Sequence, residues 1–209
     1  MGEKSEPYDL LYDNGYIWFT IRGIRALGKM DVKTYDLEVF TLKSVGAAPT
    51  GIDIAPDGRL WIAQSNGRIS SFDPTTETFI EYILPDALSS PPRVEDIFYQ
   101  DARNIWFSMP DANQVIIYNP QRESFFPIKT DQQRPMNLSV DSDGTGWVTA
   151  FGSSFIGRYS PSTNSKWIWF ETPNPDSGPS GILTFDDEYG RLQLWFTEFN
   201  TGAMARFQF

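Results

Sequence analysis

Residues 49–74 read PTGIDIAPDGRLWIAQSNGRISSFDP. The run PTGIDI ends at the turn Pro56-Asp57-Gly58, and RLWIAQ follows. A second turn, Ser65-Asn66-Gly67, leads into RISSFDP, and after a short loop comes TFIEYIL at 78–84. Short β-branched and aromatic runs punctuated by Gly, Pro, Asn and Asp turns are the pattern of a four-stranded antiparallel meander. Within RLWIAQ, Leu60 and Ile62 point to one face and Trp61 and Ala63 to the other. Such a strand needs cover on both faces, which sheets stacked face to face provide.

The same unit returns along the chain. YIWFTI (16–21), NIWFSM (104–109), TGWVTA (145–150) and QLWFTE (193–198) repeat the strand around Trp61, placing tryptophans at 18, 61, 106, 147 and 195. Their spacings of 43, 45, 41 and 48 residues match the period of propeller blades. No segment keeps a 3.6-residue apolar period over three turns, so helix is excluded as the main element. The chain is therefore expected to be all-β, a β-propeller of about five four-stranded antiparallel blades. The approximate repeats are 7–45, 46–88, 89–131, 132–175 and 176–209, within one domain over 1–209. Nineteen strand-like runs are counted, so the last blade lacks its outer strand. The recurring tryptophan is expected to pack blade against blade.

Composition bounds the function. The 209 residues carry a net charge of −10, with no histidine and no cysteine. An acidic chain lacks the basic footprint that nucleic acid or an anionic membrane surface requires. No run approaches the ~20 apolar residues of a membrane helix, so neither nucleic-acid binding nor membrane insertion is expected. The opening MGEKSEPYD lacks the apolar centre of a secretory signal. The compartment is left open, extracytoplasmic if a targeting segment has been removed. Without cysteine there are no disulfides and no thiolate metal sites.

The repeat, with P-x-G-I, then PDG-x-LW, then N-x-x-GR or its variants and DP, resembles those of virginiamycin B lyase (streptogramin lyase) and its relatives. PTGIDIAPDGRLWIAQSNGRISSFDP, SSFIGRYSPSTN and LWFTEFNTGAMARF carry the likeness, which extends over essentially the whole chain. Members of that family are seven-bladed, so five repeats here is a departure. The resemblance implies a propeller that opens the macrocyclic lactone of streptogramin B antibiotics by elimination, helped by Mg²⁺. It also implies a site of histidines that follow the repeat proline, with glutamate from WFTE. In this sequence the post-proline residues are Thr50, Met136 and Ser180, with Arg93 nearest in PPRVEDI, and none is histidine. Glu198 alone matches a functional position by type, and Gln64 takes its place in an earlier repeat. Proton abstraction near neutral pH is the task for which an unperturbed histidine is suited. Its absence argues against lyase activity of the family type.

Meander geometry locates the functional edge independently. The start of an inner strand and the end of the second strand lie at one edge of a blade. The expected ligand-binding rim comprises Arg22, Gln64, Arg93, Glu95, Asn137 and Glu198. Glu95, Asn137 and Glu198 are the metal candidates, for Mg²⁺ or Ca²⁺, and Glu198 is the single catalytic candidate. DSDG at 141–144 is read as a hairpin turn, because the twelfth position of a calcium loop falls on Gly152. KWIWFET (166–172) has four consecutive apolar residues on an outer strand, read by default as core packing with snorkelling aromatics and, as the other option, as a docking patch.

Two functions remain. The leading expectation is a non-catalytic binding or scaffold protein, a subunit of a larger assembly. Its partner would be a protein or a second copy at the open blade edge, with a small polar ligand as a further option. The alternative is a divalent-cation-dependent lyase or lactonase.

Overall fold

A computed structural model describes residues 4–85, 93–131, 134–163 and 166–209. Among them nineteen strands form five antiparallel sheets, each a simple meander, and the fold is a five-bladed β-propeller. Blade one holds β1 (Pro7–Asp13), β2 (Tyr16–Ile21), β3 (Ala26–Asp31) and β4 (Leu37–Thr41). Blade two holds β5 (Pro49–Ile54), β6 (Leu60–Gln64), β7 (Arg68–Asp73) and β8 (Thr78–Ile83). Blade three holds β9 (Ile97–Asp101), β10 (Asn104–Met109), β11 (Gln114–Asn119) and β12 (Ser124–Lys129). Blade four holds β13 (Pro135–Val140), β14 (Gly146–Ala150), β15 (Phe155–Tyr159) and β16 (Trp167–Glu171). Blade five has three strands, β17 (Pro179–Asp186), β18 (Leu192–Glu198) and β19 (Ala203–Gln208). A single 3₁₀ turn, Pro110–Ala112, is the only helical element among the described residues. The chain divides into two compact units, Met1–Tyr99 and Gln100–Phe209.

The turns are those the sequence demands. Asn14 and Gly15 both take positive φ between β1 and β2, as a two-residue hairpin of opposite-handed twist requires. In the 141–144 hairpin, Asp141 accepts the amides of Asp143 and Thr145 and, at 2.8 Å, the indole N–H of Trp147. The aspartate thus serves the turn and anchors the repeat tryptophan.

Within each unit, blades meet by one register rule. In the first unit Trp18, Leu27 and Phe40 of blade one lie over Ile52, Leu60, Ile62 and Phe72 of blade two. In the second, Trp147, Ile156 and Phe170 of blade four lie over Ile182, Leu194, Phe196 and Phe207 of blade five. The two sets are equivalent by strand pairing. Leu27 and Phe40 are cross-strand partners, as are Ile156 and Phe170. Ile52 pairs with Ile62 and Leu60 with Phe72, as Ile182 pairs with Phe196 and Leu194 with Phe207. Even the ring contacts repeat: Phe40 meets Phe72 at 4.9 Å and Phe170 meets Phe207 at 6.0 Å. Each such blade therefore has a covering face, built on its tryptophan, and a receiving face of aliphatic and aromatic side chains. Trp18 and Trp147 are thus blade-to-blade packing residues.

Polar straps reinforce this seam. Thr20 Oγ1 donates to the Thr50 carbonyl at 2.7 Å, and Ser108 donates likewise to Met136. Asp53, opposite Trp61, accepts the Tyr99 amide at 2.7 Å. Ser139, opposite Trp147, accepts the Thr184 amide at 3.1 Å. These are inner-strand amides of the following blade, which would otherwise be buried without a partner.

Candidate functional site

Strand pairing sets the edge at which candidates gather. In four of the five blades a proline opens the inner strand and pairs with the last residue of the second strand: Pro7 with Ile21, Pro49 with Gln64, Pro135 with Ala150, Pro179 with Glu198. The post-proline residue and the end of the second strand therefore share one blade edge, as meander geometry requires.

In the first unit this edge brings Arg22, Arg93 and Glu95 to one cluster, with a fourth member, Tyr8. Glu95 is buried. Its Oε2 accepts from Arg93 Nε at 2.7 Å and Nη2 at 2.6 Å, and its Oε1 accepts from the Tyr8 hydroxyl. The Arg22 guanidinium lies 5.4 Å from the Tyr8 ring centroid, within cation–π range. Burial, followed by the Glu95 hydrogen bond, pushes the Tyr8 phenol up to about 12. The phenol stays protonated as a donor, and the buried carboxylate is neutralised by arginine.

Gln64 lies at the same edge with its side chain consumed by the fold. Its Oε1 accepts from Ser44 Oγ at 3.2 Å and its amide nitrogen donates to Ser70 Oγ. Its main-chain carbonyl accepts the Val94 amide at 3.3 Å. Thr50 Oγ1 donates to the Val94 carbonyl, and the Gly51 amide to the Glu95 carbonyl, both at 2.9 Å. A Cβ at Gly51 would lie 2.8 Å from Asp96 Cα, so only glycine allows this approach. Beside it, burial raises both Asp9 and Asp53, the latter to about 6 with Asp9 adding a like charge.

In the second unit Glu198 ends β18 at 1% exposure. Its Oε2 accepts from Asn174 Nδ2 and, at 3.1 Å, from Thr201 Oγ1. Its Oε1 is buried with no partner among the described residues. Asn174 belongs to the 172–178 loop, which is tied down on several sides. Thr172 Oγ1 reaches the Asn174 carbonyl at 3.0 Å and Ser177 Oγ at 2.7 Å, and Asn200 donates to the Asp176 carbonyl at 2.8 Å. The loop borders an open cleft of about 330 Å³ lined by Ser154, Glu171, Thr172, Pro173 and Asp176. Asn137 accepts from Ser180 at 3.4 Å, joining the inner strands of blades four and five. It is not among the partners of Glu198.

Among the described residues no three His, Cys, Asp or Glu side chains gather as a metal-binding group. At Glu198 one buried carboxylate oxygen lacks a hydrogen-bond partner among the described residues. Sequence reasoning missed Tyr8 and Asn174. Tyr8 follows Pro7 as Thr50 follows Pro49, and that post-proline position was the signal. Nothing in TPNPDSGP singled out Asn174, whose role depends on how its loop folds back.

No protein-family model matches this chain, and no curated protein matches it. Solved structures do. Virginiamycin B lyase from Staphylococcus aureus superposes with a TM-score of 0.80 at 21% identity, over 97% of this chain and 70% of that one. A streptogramin B lyase structure gives 0.82 at 20% identity, over 98% and 69%. A chain of the mitotic checkpoint complex gives 0.72 at 11% identity, over 98% and 65%. The chain has the streptogramin-lyase-like propeller fold. At these identities the likeness is one of fold, which lyases and components of protein assemblies share.

Proposed function

We propose that this protein is a non-catalytic binding subunit, a rigid propeller platform that engages another protein. The observation that carries this reading is a concentration of uncovered apolar side chains on blade one: Leu10, Tyr12, Leu37 and Val39 are exposed. They adjoin a groove of about 410 Å³ lined by Pro7, Tyr8, Leu10, Ile17, Phe19 and Met30, with Asp9 as its one charged member. A continuous apolar surface of this kind is the mark of an interaction site. The state of the rim supports the same reading, since Glu95, Arg93 and Gln64 spend their polar atoms on internal bonds. No helix among the described residues is long and apolar enough to cross a membrane.

One observation favours the second reading, a divalent-cation-dependent lyase or lactonase: the buried, unpartnered Oε1 of Glu198. An oxygen in that state is an unused acceptor for a cation or a ligand donor, and leaving it bare costs about 1–3 kcal/mol. Turnover of a streptogramin B antibiotic with and without Mg²⁺ separates the readings. The binding reading expects no turnover and no Mg²⁺-dependent shift in melting temperature. Turnover lost in Glu198→Gln would establish the enzyme instead.

A further inference from the structure

The register rule that joins blades within each unit is left unused at two places. On blade one, Leu10 pairs with Phe19 and Ile17 with Met30. These are the positions held by Ile52 with Ile62 and Leu60 with Phe72 in blade two. Blade one thus carries a complete receiving face, and Leu10 on it is 65% exposed. On blade five, Met204 pairs with Thr197 as Leu27 pairs with Thr20, and Leu183 pairs with Trp195 as Leu11 pairs with Trp18. That is a covering face, with Met204 66% exposed. It keeps a further mark of the other covering faces, a cation across from the tryptophan. Lys29 lies 5.5 Å from the Trp18 ring, Arg158 5.5 Å from Trp147 and Arg206 5.7 Å from Trp195.

We propose that the receiving face of blade one is covered by the covering face of blade five of a second copy of this chain, head to tail. The proposal rests on the reading of the protein as a binding subunit and names its partner. Continuity with the existing seam carries it: Trp195 and Met204 are the chemical counterparts of the Trp18 and Leu27 side chains that bury Ile52, Leu60 and Ile62. Blade five, having three strands, lacks the counterpart of Phe40, so the contact is weaker than an internal seam. The two patches differ, making the contact heterologous, and such contacts build a series of species rather than a closed dimer.

Light scattering coupled to size exclusion, run across a concentration series, tests this. The mass is expected to rise above the 23.8 kDa of one chain as concentration increases. Leu10→Asp and Met204→Asp each remove one face at an exposed position, and circular dichroism checks that both variants are folded. Each variant alone is expected to remain a monomer. Their equimolar mixture is expected to form a dimer, because one supplies an intact blade five and the other an intact blade one. A concentration-independent monomer, association that survives either substitution, or a mixture that stays monomeric overturns the proposal. The streptogramin turnover assay on the same samples decides the binding reading separately, so the two fail independently.

Discussion

Ile52 and Leu10 occupy the same register position in neighbouring blades, yet Ile52 is 6% exposed and Leu10 is 65% exposed. Both are aliphatic residues of inner strands, and each lies opposite an apolar residue of the second strand. The difference is the covering trio of Trp18, Leu27 and Phe40, which lies over blade two. Burial here belongs to the seam between blades and not to the strand. A meander of this repeat is a unit with two apolar faces whose stability comes from its neighbours.

The largest test of that comparison is at the covering tryptophans. Trp147→Ala empties a buried seam and is expected to cost about 3–5 kcal/mol, whereas Trp195→Ala on the uncovered face should cost about 1 kcal/mol or less. Urea denaturation followed by circular dichroism gives both values. Equal losses would mean that the blade-five face is as well packed in solution as the blade-four seam.

The next effect lies at the strap residues. The folded state raises Asp53 from 3.8 to about 6, so between those values the folded chain binds more protons than the unfolded one. Stability is therefore expected to rise as pH falls from 7 through 6 toward 4, with this residue contributing at most about 3 kcal/mol. Asp53→Ser copies the Ser139 strap of blade four. The difference in unfolding midpoint between wild type and variant should shrink as pH falls through 6. A difference that does not vary with pH would remove buried charge from the account.

Smaller again is the seat of Trp106. A Cβ on Gly146 would lie 2.5 Å from Cζ3 of that indole, and overpacking of this kind costs about 1–3 kcal/mol. Gly146→Ala is expected to lower the thermal midpoint and to alter the tryptophan fluorescence. The smallest effect is at the open face, where Leu10→Ala in a dilute monomer should change stability by less than about 0.5 kcal/mol.

The blades were legible in the sequence because turn chemistry and the tryptophan period report local structure directly. Pro56-Asp57-Gly58 and Asp13-Asn14-Gly15 bound strands wherever the chain folds as a meander, and the three-stranded last blade followed from the same count. The edge shared by inner-strand starts and second-strand ends was legible too, as the pairing of Pro49 with Gln64 and of Pro179 with Glu198 shows. What each rim residue does there was not. Gln64 and Glu198 hold equivalent places, yet Ser44 and Ser70 saturate one while the other keeps a bare oxygen. That contrast depends on loops whose sequences carry no period. The double apolarity of RLWIAQ announced cover on both faces, whereas the same property in blade one, with no cover on one face, produces a surface.

Asp53 and Ser139 perform the same strapping task with different chemistry, one by a carboxylate and the other by a hydroxyl. The acceptor is not a requirement of the seam, because Leu11 holds the same place opposite Trp18 in blade one and packs into the seam instead. A seam of this repeat therefore accepts either a polar strap or an aliphatic side chain opposite its tryptophan, so the strap can be gained or lost while the apolar packing that joins the blades stays the same.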